Sequence, residues 1–502
     1  MSLSRRNFLK MSGVASLTLA AAPTVRWSGA RLIQAQDSAS PNLEHHLLNR
    51  LTWGPRPEDL TRLQAMGYEG YIDWQLNPAA IPDPLIDELL SRETFINMSF
   101  RDLYQTMQAD ENYTIESRFM WARIYRAIYS ERQLHERMVE FWTDHFNVPI
   151  ADNTAIKIVE DREVIRRHAL GSFRDLLFAS SQSPAMMYYL NQTTSNKEYP
   201  NENYAREVME LHTLGVDGGY TEDDVKAVAR ALTGWTVNET AGGFIFDMNM
   251  HDTEAKTILG IELPAGRGIE DGLQVLDMLA HHPSTARFIS FKLIRRFVSD
   301  TPPESLVNST ADVFMNTQGD IRSVMRHIFL SAEFMGSAGQ KLRRPMELMV
   351  AIFRALRHGI TFTHNDSIPW IFWSLEGLGH MPFYWHPPNG YPDTTEEWLN
   401  TNGLLNRWNL AMTIPFASEG WMEQIHLDWD QLLPPTNTVA QLVDVTAKTV
   451  LGGHINNADV QAIIHALSDS VNPTESIDRD TRNYYLPTLT GILLSSPYFQ
   501  WH

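Results

Sequence analysis

The segment NENYAREVMELHTLGVDGGY, residues 201–220, places several charged side chains at helical spacing. At about 100° of rotation per residue, Asn203, Arg206, Glu207 and Glu210 share one edge of a helix, and apolar residues lie opposite. Two neighbouring carboxylates beside an arginine and an amide could bind a cation, or could act as acid and base if burial separates their pKa values. The same pattern also fits a solvated helix face, so spacing alone leaves both interpretations open.

Three histidines could add metal ligands, because neutral imidazole is a common ligand in proteins. His212 follows the acidic edge, but two helical steps turn it about 160° away from Glu210, so these two cannot hold one ion from the same helix. His145 lies on the apolar face of another predicted helix, and His251-Asp252 ends a run of alternating apolar residues. His145, His251 and Asp252 are therefore our candidate ligands for a divalent metal; the alternative is that these histidines are hydrogen-bonded core residues.

The common catalytic patterns are absent from the sequence. It contains no HExxH zinc motif, no G-x-S-x-G elbow, no P-loop and no G-x-G-x-x-G turn. It also contains no cysteine, which excludes disulfides, thiolate metal sites and a cysteine nucleophile. The metal proposal therefore rests on residue types and not on a recognised spacing.

Helices separated by glycine and proline must position these residues. The segment 130–148 has helical apolar spacing, TEDDVKAVARALTG starts with a capping box at Thr221, and RRPMELMVAIFRALRHG has Pro345 in its first turn. Residues 242–260 instead alternate with a period of two, which predicts a small inserted β-hairpin. We predict a mainly α fold, either one multi-helix globular domain or two packed helical lobes at residues 41–241 and 266–500.

The charge of the chain argues against nucleic acid as a partner. The formal net charge is -19 over 502 residues, and no stripe of lysine and arginine that could follow a phosphate backbone is present. After the N-terminal segment, no stretch reaches 18 consecutive apolar residues, so we predict no membrane span in the mature chain.

The N-terminal segment SRRNFLK, residues 4–10, precedes a short apolar run that ends at Ala22. A basic region followed by 7–15 apolar residues is the layout of a secretory signal, and this motif resembles the bacterial twin-arginine signal. We predict a signal peptide within residues 1–36, with its cleavage point open, and an exported protein that is periplasmic or extracellular. The alternative is an amphipathic N-terminus of a cytoplasmic protein.

Several longer motifs recur in a familiar order. They are HLLNRLTWGPRPEDL, VEFWTDHFNV, PNENYAREVMELHTLGVDGGYTEDDV, ARALTGW, HDTEAKTILG and ARFISFKLIRRFVSD. Together they resemble the bacterial domain of unknown function 1800 family, over a domain that we place at residues 41–500. No activity is established for that family as a class.

The resemblance singles out particular residues of this chain. Besides the four on the acidic edge, they are His145, Trp235, His251, Asp252 and Lys256. An aromatic residue often takes the place of His212, which favours a packing role for it. Glu254 stands where the family motif commonly has glycine, which puts the turn after Asp252 in doubt. Members of that family are often encoded beside a protein similar to the sulfatase and alkaline phosphatase class, so the resemblance implies a partner of that kind. The other expected partner, the twin-arginine export machinery, follows from the N-terminal motif.

Two functions follow from these patterns. The first is an exported hydrolase of envelope or polysaccharide material, with Glu207, Glu210 and Arg206 as catalytic residues. In this hypothesis Asn203, Trp235 and Lys256 bind substrate, and a metal completes the pocket. The second is a non-catalytic exported binding or scaffold protein that acts with the hydrolase-like partner, its polar residues forming a structural network between helices.

Overall fold

The computed structural model describes residues 42–109, 114–238, 242–357, 360–362, 369–419, 425–453, 455–467 and 472–502. Within these ranges the chain forms 26 α-helices and six strands of three or four residues. The predicted mainly α fold is confirmed. The predicted signal peptide lies outside the described residues. No helix in the described ranges is long and apolar enough to span a membrane.

The chain divides into two compact units whose segments alternate along the sequence. Among the described residues, one unit contains those within 42–67, 337–380 and 394–502, and the other contains those within 68–336 and 381–393. These units divide the chain at other positions than the two lobes predicted from sequence.

The first unit is built almost entirely from helices. They are α1 (Leu43–Leu51), α2 (Pro57–Met66), α18 (Pro345–Ala355), α19 (Pro369–Gly377), α20 (Thr395–Trp398), α21 (Thr401–Thr413), α22 (Trp429–Leu432), α23 (Val439–Leu451), α24 (Asn457–Leu467), α25 (Arg479–Ser495) and α26 (Pro497–Gln500). Strands β5 (Ile360–Phe362) and β6 (Ile425–Leu427) pair antiparallel. As predicted, Pro345 opens α18 in its first turn, where its missing N–H costs no helical hydrogen bond.

The second unit carries the residues selected from sequence. Its helices are α3 (Tyr68–Gln75), α4 (Pro84–Ser91), α5 (Phe100–Gln108), α6 (Thr114–Tyr129), α7 (Gln133–His145), α8 (Thr154–Glu160), α9 (Phe173–Ser181), α10 (Pro184–Tyr189), α11 (Glu202–Glu210), α12 (Glu222–Ala231), α13 (Glu270–Ala280), α14 (Pro283–Phe297), α15 (Glu304–Asn316), α16 (Ile321–Phe329) and α17 (Ala332–Met335). A π-helical turn, Asp161–Arg166, continues α8. Helix α7 is buried almost throughout its length and lies in the core of this unit.

Two antiparallel hairpins replace the single hairpin expected at residues 242–260. Strand β1 (Trp235–Asn238) pairs with β2 (Gly243–Phe246), and β3 (Lys256–Ile258) pairs with β4 (Ile261–Leu263). The alternating phenylalanines do mark β2, but the chain then turns at residues 247–250. The segment therefore supplies one strand to each hairpin, and both partner strands lie outside it.

Candidate functional site

Helix α11 carries the predicted acidic edge at the surface of its unit. The Asn201 side chain caps the helix by accepting a hydrogen bond from the Asn203 amide at 2.8 Å. The predicted apolar face is buried, with Tyr204, Ala205, Val208 and Met209 inside. On the opposite edge Asn203 is exposed, and Arg206, Glu207 and Glu210 are partly exposed. This edge is neither a sealed cavity nor a fully solvated face.

Arg206 is committed to an ion pair on the neighbouring helix. Its two terminal nitrogens donate to the two carboxylate oxygens of Glu222 on α12, each at 2.7 Å. This hydrogen-bonded pair raises the pKa of Arg206 and lowers that of Glu222. The guanidinium therefore ties α11 to α12 across the surface and is not directed at Glu207.

The two glutamates of the edge lie beside tyrosines. Partial burial, with the like charge of Glu210, raises the pKa of Glu207. The Tyr220 hydroxyl donates to Glu210 at 3.4 Å. Burial, together with the charges of Asp152 and Glu207, raises the pKa of Tyr189 to about 12. A half-buried carboxyl with a raised pKa is the one feature of this edge suited to proton transfer.

His145 lies on the buried side of the same region. Its Nε2 donates to the carbonyl of His212 at 3.1 Å, and its Nδ1 accepts a hydrogen bond from Lys292 Nζ at 2.9 Å. The rings of Phe146 and Trp142 contact it edge-on, with centroids at 4.6 and 5.3 Å. Burial first, and then the charge of Lys292, holds the pKa of His145 well below its usual range. The imidazole is therefore neutral, and both of its nitrogens are used.

His212 packs in the same aromatic cluster, next to Phe146, as the resemblance implied. Burial lowers its pKa to about 3. Sequence analysis did not single out Lys292, which joins α14 to this cluster. Burial lowers the pKa of Lys292 to about 8, although Asp393 and Asp144 oppose the shift. The sequence signal that could have identified Lys292 is its position between apolar residues in the motif ARFISFKLIRRFVSD.

The remaining predicted residues form a buried network around the second hairpin. Lys256 Nζ donates to Asp271 at 2.8 Å and to the carbonyl of Glu254 at 2.9 Å. His251 Nδ1 lies 2.7 Å from the carbonyl of Thr233, and its Nε2 lies 3.5 Å from Asp271. Because these side chains are buried, they fix β3 and the preceding turn onto α13.

Asp252 and Trp235 complete this network. Arg230 on α12 donates to both carboxylate oxygens of Asp252, at 2.6 and 3.1 Å. Trp235 is fully buried against Gly272, where an added Cβ would lie 2.6 Å from the indole ring. Glu254 does not have a positive φ, so the turn that seemed to need glycine forms without one.

The structure therefore separates the predicted site into three sets. They are the acidic edge of α11, the His145 cluster in the core and the His251–Lys256 network at the hairpin. Among the described residues, no hydrogen bond or ion pair joins one set to another, and no three His, Asp or Glu residues form a group that could hold a metal ion. His145, His251 and Asp252, the candidate metal ligands, therefore do not form one metal-binding group in the described part of the chain.

Comparison with known proteins places the chain in a family. Residues 46–501 match the family model described as "Protein of unknown function (DUF1800)". No curated protein and no solved structure gives a significant match. Since the family model covers nearly the whole chain, the chain belongs to the DUF1800 family.

Proposed function

We propose that this protein is an exported, non-catalytic binding or scaffold protein. The observation that carries the proposal is the use of His145: both ring nitrogens are hydrogen-bonded inside the protein, which leaves none for a metal or a substrate. Lys256 and Asp252 are likewise engaged with neighbouring side chains. In this proposal the buried residues that the family resemblance selects build the scaffold, and the partly exposed edge of α11 contacts a partner. The SRRNFLK motif supports export.

The partner in this proposal is a protein similar to the sulfatase and alkaline phosphatase class. Partly exposed Glu207 and Glu210 present negative charge at the surface, which would complement a basic patch and make the association salt-dependent. Co-expression with such a partner, followed by size-exclusion chromatography and elemental analysis, tests the proposal. We expect a complex with no stoichiometric metal.

Matched variants locate the contact. The double variant Glu207→Gln/Glu210→Gln should weaken the complex by about tenfold, equivalent to about 1.4 kcal/mol. The control Glu202→Gln/Asp223→Asn removes the same charge from exposed positions nearby and should bind like the unmodified protein. A stoichiometric metal in the purified protein, with no complex formed, would contradict the proposal.

A second candidate function is a hydrolase of envelope or polysaccharide material. The raised pKa of half-buried Glu207, beside Glu210, favours it, since a general acid must hold its proton near the working pH. In this case Glu207→Gln should lower turnover of envelope polysaccharide by about 10²-fold or more, with an unchanged melting temperature. Glu202→Gln on the same helix is the control. Equal turnover by the two variants would exclude this role for Glu207.

A further inference from the structure

The second unit contains a pocket lined by arginines, which we call the arginine pocket. It has a volume of about 280 Å³ and lies between α6, α8 with its π-helical turn, and the segment Ile96–Asn97. Four guanidinium groups and one carboxylate line it: Arg126, Arg162, Arg166, Arg167 and Asp161. In a chain of formal net charge -19, this local excess of positive charge favours an anionic occupant.

Arg126, on α6, differs from the other pocket arginines in its lack of a hydrogen-bonding partner in the described part of the chain. It is partly buried, and among the described residues it makes no hydrogen bond or ion pair. Burial first, and then the like charge of Arg166, lowers the pKa of Arg126 to about 10, although the charges of Glu136 and Asp161 oppose the shift. A guanidinium in this position is unfavourable in the free protein and gains a charge-assisted partner when an anion binds.

The other three arginines are held in place by protein groups. Arg166 is paired with buried Glu136, and Arg162 donates to Glu163 at 2.8 Å and to the carbonyl of Met98 at 3.1 Å. Arg167 lies 3.5 Å from Glu163 and is mostly exposed. These contacts position Arg162 and Arg166 on one wall of the pocket, whereas Arg126 makes no hydrogen bond or ion pair among the described residues.

The π-helical turn brings the wall together. It holds Asp161, Arg162 and Arg166, and Arg167 follows directly. A π turn inserts one residue into a helix and so rotates the following side chains by about 100° relative to an α-helix, which is why such turns often occur at functional sites. The insertion brings a carboxylate and three guanidiniums from one short segment to the same cavity.

Asp161 adds to the pocket a carboxylate oxygen that also lacks a hydrogen-bond partner in the described ranges. It is 3% exposed, and its Oδ1 has no hydrogen-bond partner among the described residues. An ionised carboxylate can only accept hydrogen bonds, so an occupant that satisfies it must carry a donor. Inorganic phosphate near neutral pH carries both negative oxygens and at least one P–OH donor. Sulfate and the dianion of a phosphate monoester lack that proton.

We propose that the arginine pocket binds inorganic phosphate. Arg126 donates to the ionised oxygens, and Asp161 accepts the hydrogen bond from the P–OH group. The site is distinct from the acidic edge of α11, and it would stand even if the proposed scaffold role failed.

Calorimetric titration and thermal unfolding of the full chain at pH 7.5 test this proposal. The probes are inorganic phosphate, sulfate and methyl phosphate at equal ionic strength, with sodium chloride as the reference. We expect phosphate to raise the melting temperature and to bind about tenfold or more tightly than sulfate or methyl phosphate, as expected for one hydrogen bond to a charged group. Equal effects of all three anions, or of chloride, would overturn the proposal.

Two substitutions separate the parts of the pocket. Arg126→Met should abolish the phosphate effect and raise the melting temperature without phosphate, because it removes an unpaired charge near Arg166. Asp161→Asn should narrow the preference for phosphate over sulfate. Arg287→Met, which removes one positive charge at an exposed ion pair elsewhere, should keep full phosphate binding. Undiminished phosphate binding by Arg126→Met would refute the assignment, and the phosphate-to-sulfate ratio of the unmodified protein tests it even if a variant fails to fold.

Discussion

His145 shows how one buried side chain can join three segments. Its ring connects α7, which carries it, to the turn after α11 and to Lys292 on α14. This use requires a neutral imidazole with the proton on Nε2, and burial supplies that state by disfavouring the charged ring. The same burial acts on neighbouring His212. The two rings therefore make the core of this unit sensitive to acid.

The pH dependence of stability follows from these lowered pKa values. Unfolded histidine titrates near 6.5, whereas burial lowers the pKa of His212 to about 3 in the folded protein. Between these values the unfolded state binds more protons, so the free energy of unfolding falls as the pH is lowered from 6.5 towards 3. His212→Phe should reduce this slope by up to about 1.4 kcal/mol per pH unit.

Urea unfolding at several pH values between 4 and 7.5 measures the effect. The phenyl ring keeps the aromatic packing against Phe146 and removes only the titrating group. His426→Phe replaces an exposed imidazole and serves as the control. Identical slopes for His212→Phe and the unmodified protein would contradict the assignment of this acid sensitivity to His212.

At the scale of single elements, the sequence pattern correctly predicted features that depend on residues close together in the chain. The buried face of α11 follows its 3.6-residue period, and the Thr221–Asp224 capping box begins α12 as expected. These features depend on residues within one helix. The partner strands β1 and β4 lie outside residues 242–260, where the period-two pattern gives no sign of them. The observed hairpin bounds therefore differ from the predicted ones.

Contacts between elements were beyond the reach of sequence spacing. Arg206 was placed beside Glu207 on one helix, yet it pairs with Glu222 on the next helix, whose position depends on the intervening turn. The arginine pocket was missed for two reasons. Its Arg126 and Arg166 lie on different elements, and a π-helical turn shifts the register that a regular helical period assumes. Sequence spacing places residues three or four positions apart on one edge of a helix. It does not predict which residues of other elements they contact.

At the scale of the whole molecule, charge is distributed very unevenly. The first 36 residues hold five basic residues and no acidic one, while the full chain has a formal net charge of -19. Their removal would leave a chain of formal net charge -24. Such a chain would be repelled by anionic membrane surfaces, which is consistent with the proposed removal of this segment on export.

We expect the proposed export to depend on the guanidinium groups of Arg5 and Arg6 and not on positive charge in general. Arginine and lysine carry the same charge but present different hydrogen-bond donors, so a receptor that reads the arginine pair should reject lysine. Arg5→Lys/Arg6→Lys should therefore keep the full-length chain in the cytoplasm, while the unmodified chain accumulates in the periplasm or medium at a lower mass. Cell fractionation with intact-mass spectrometry measures both outcomes. Arg26→Lys/Arg31→Lys preserves the same charge and should be exported normally. Export of both double variants would show that the segment acts by charge alone, and retention of the unmodified chain in the cytoplasm would remove the export proposal.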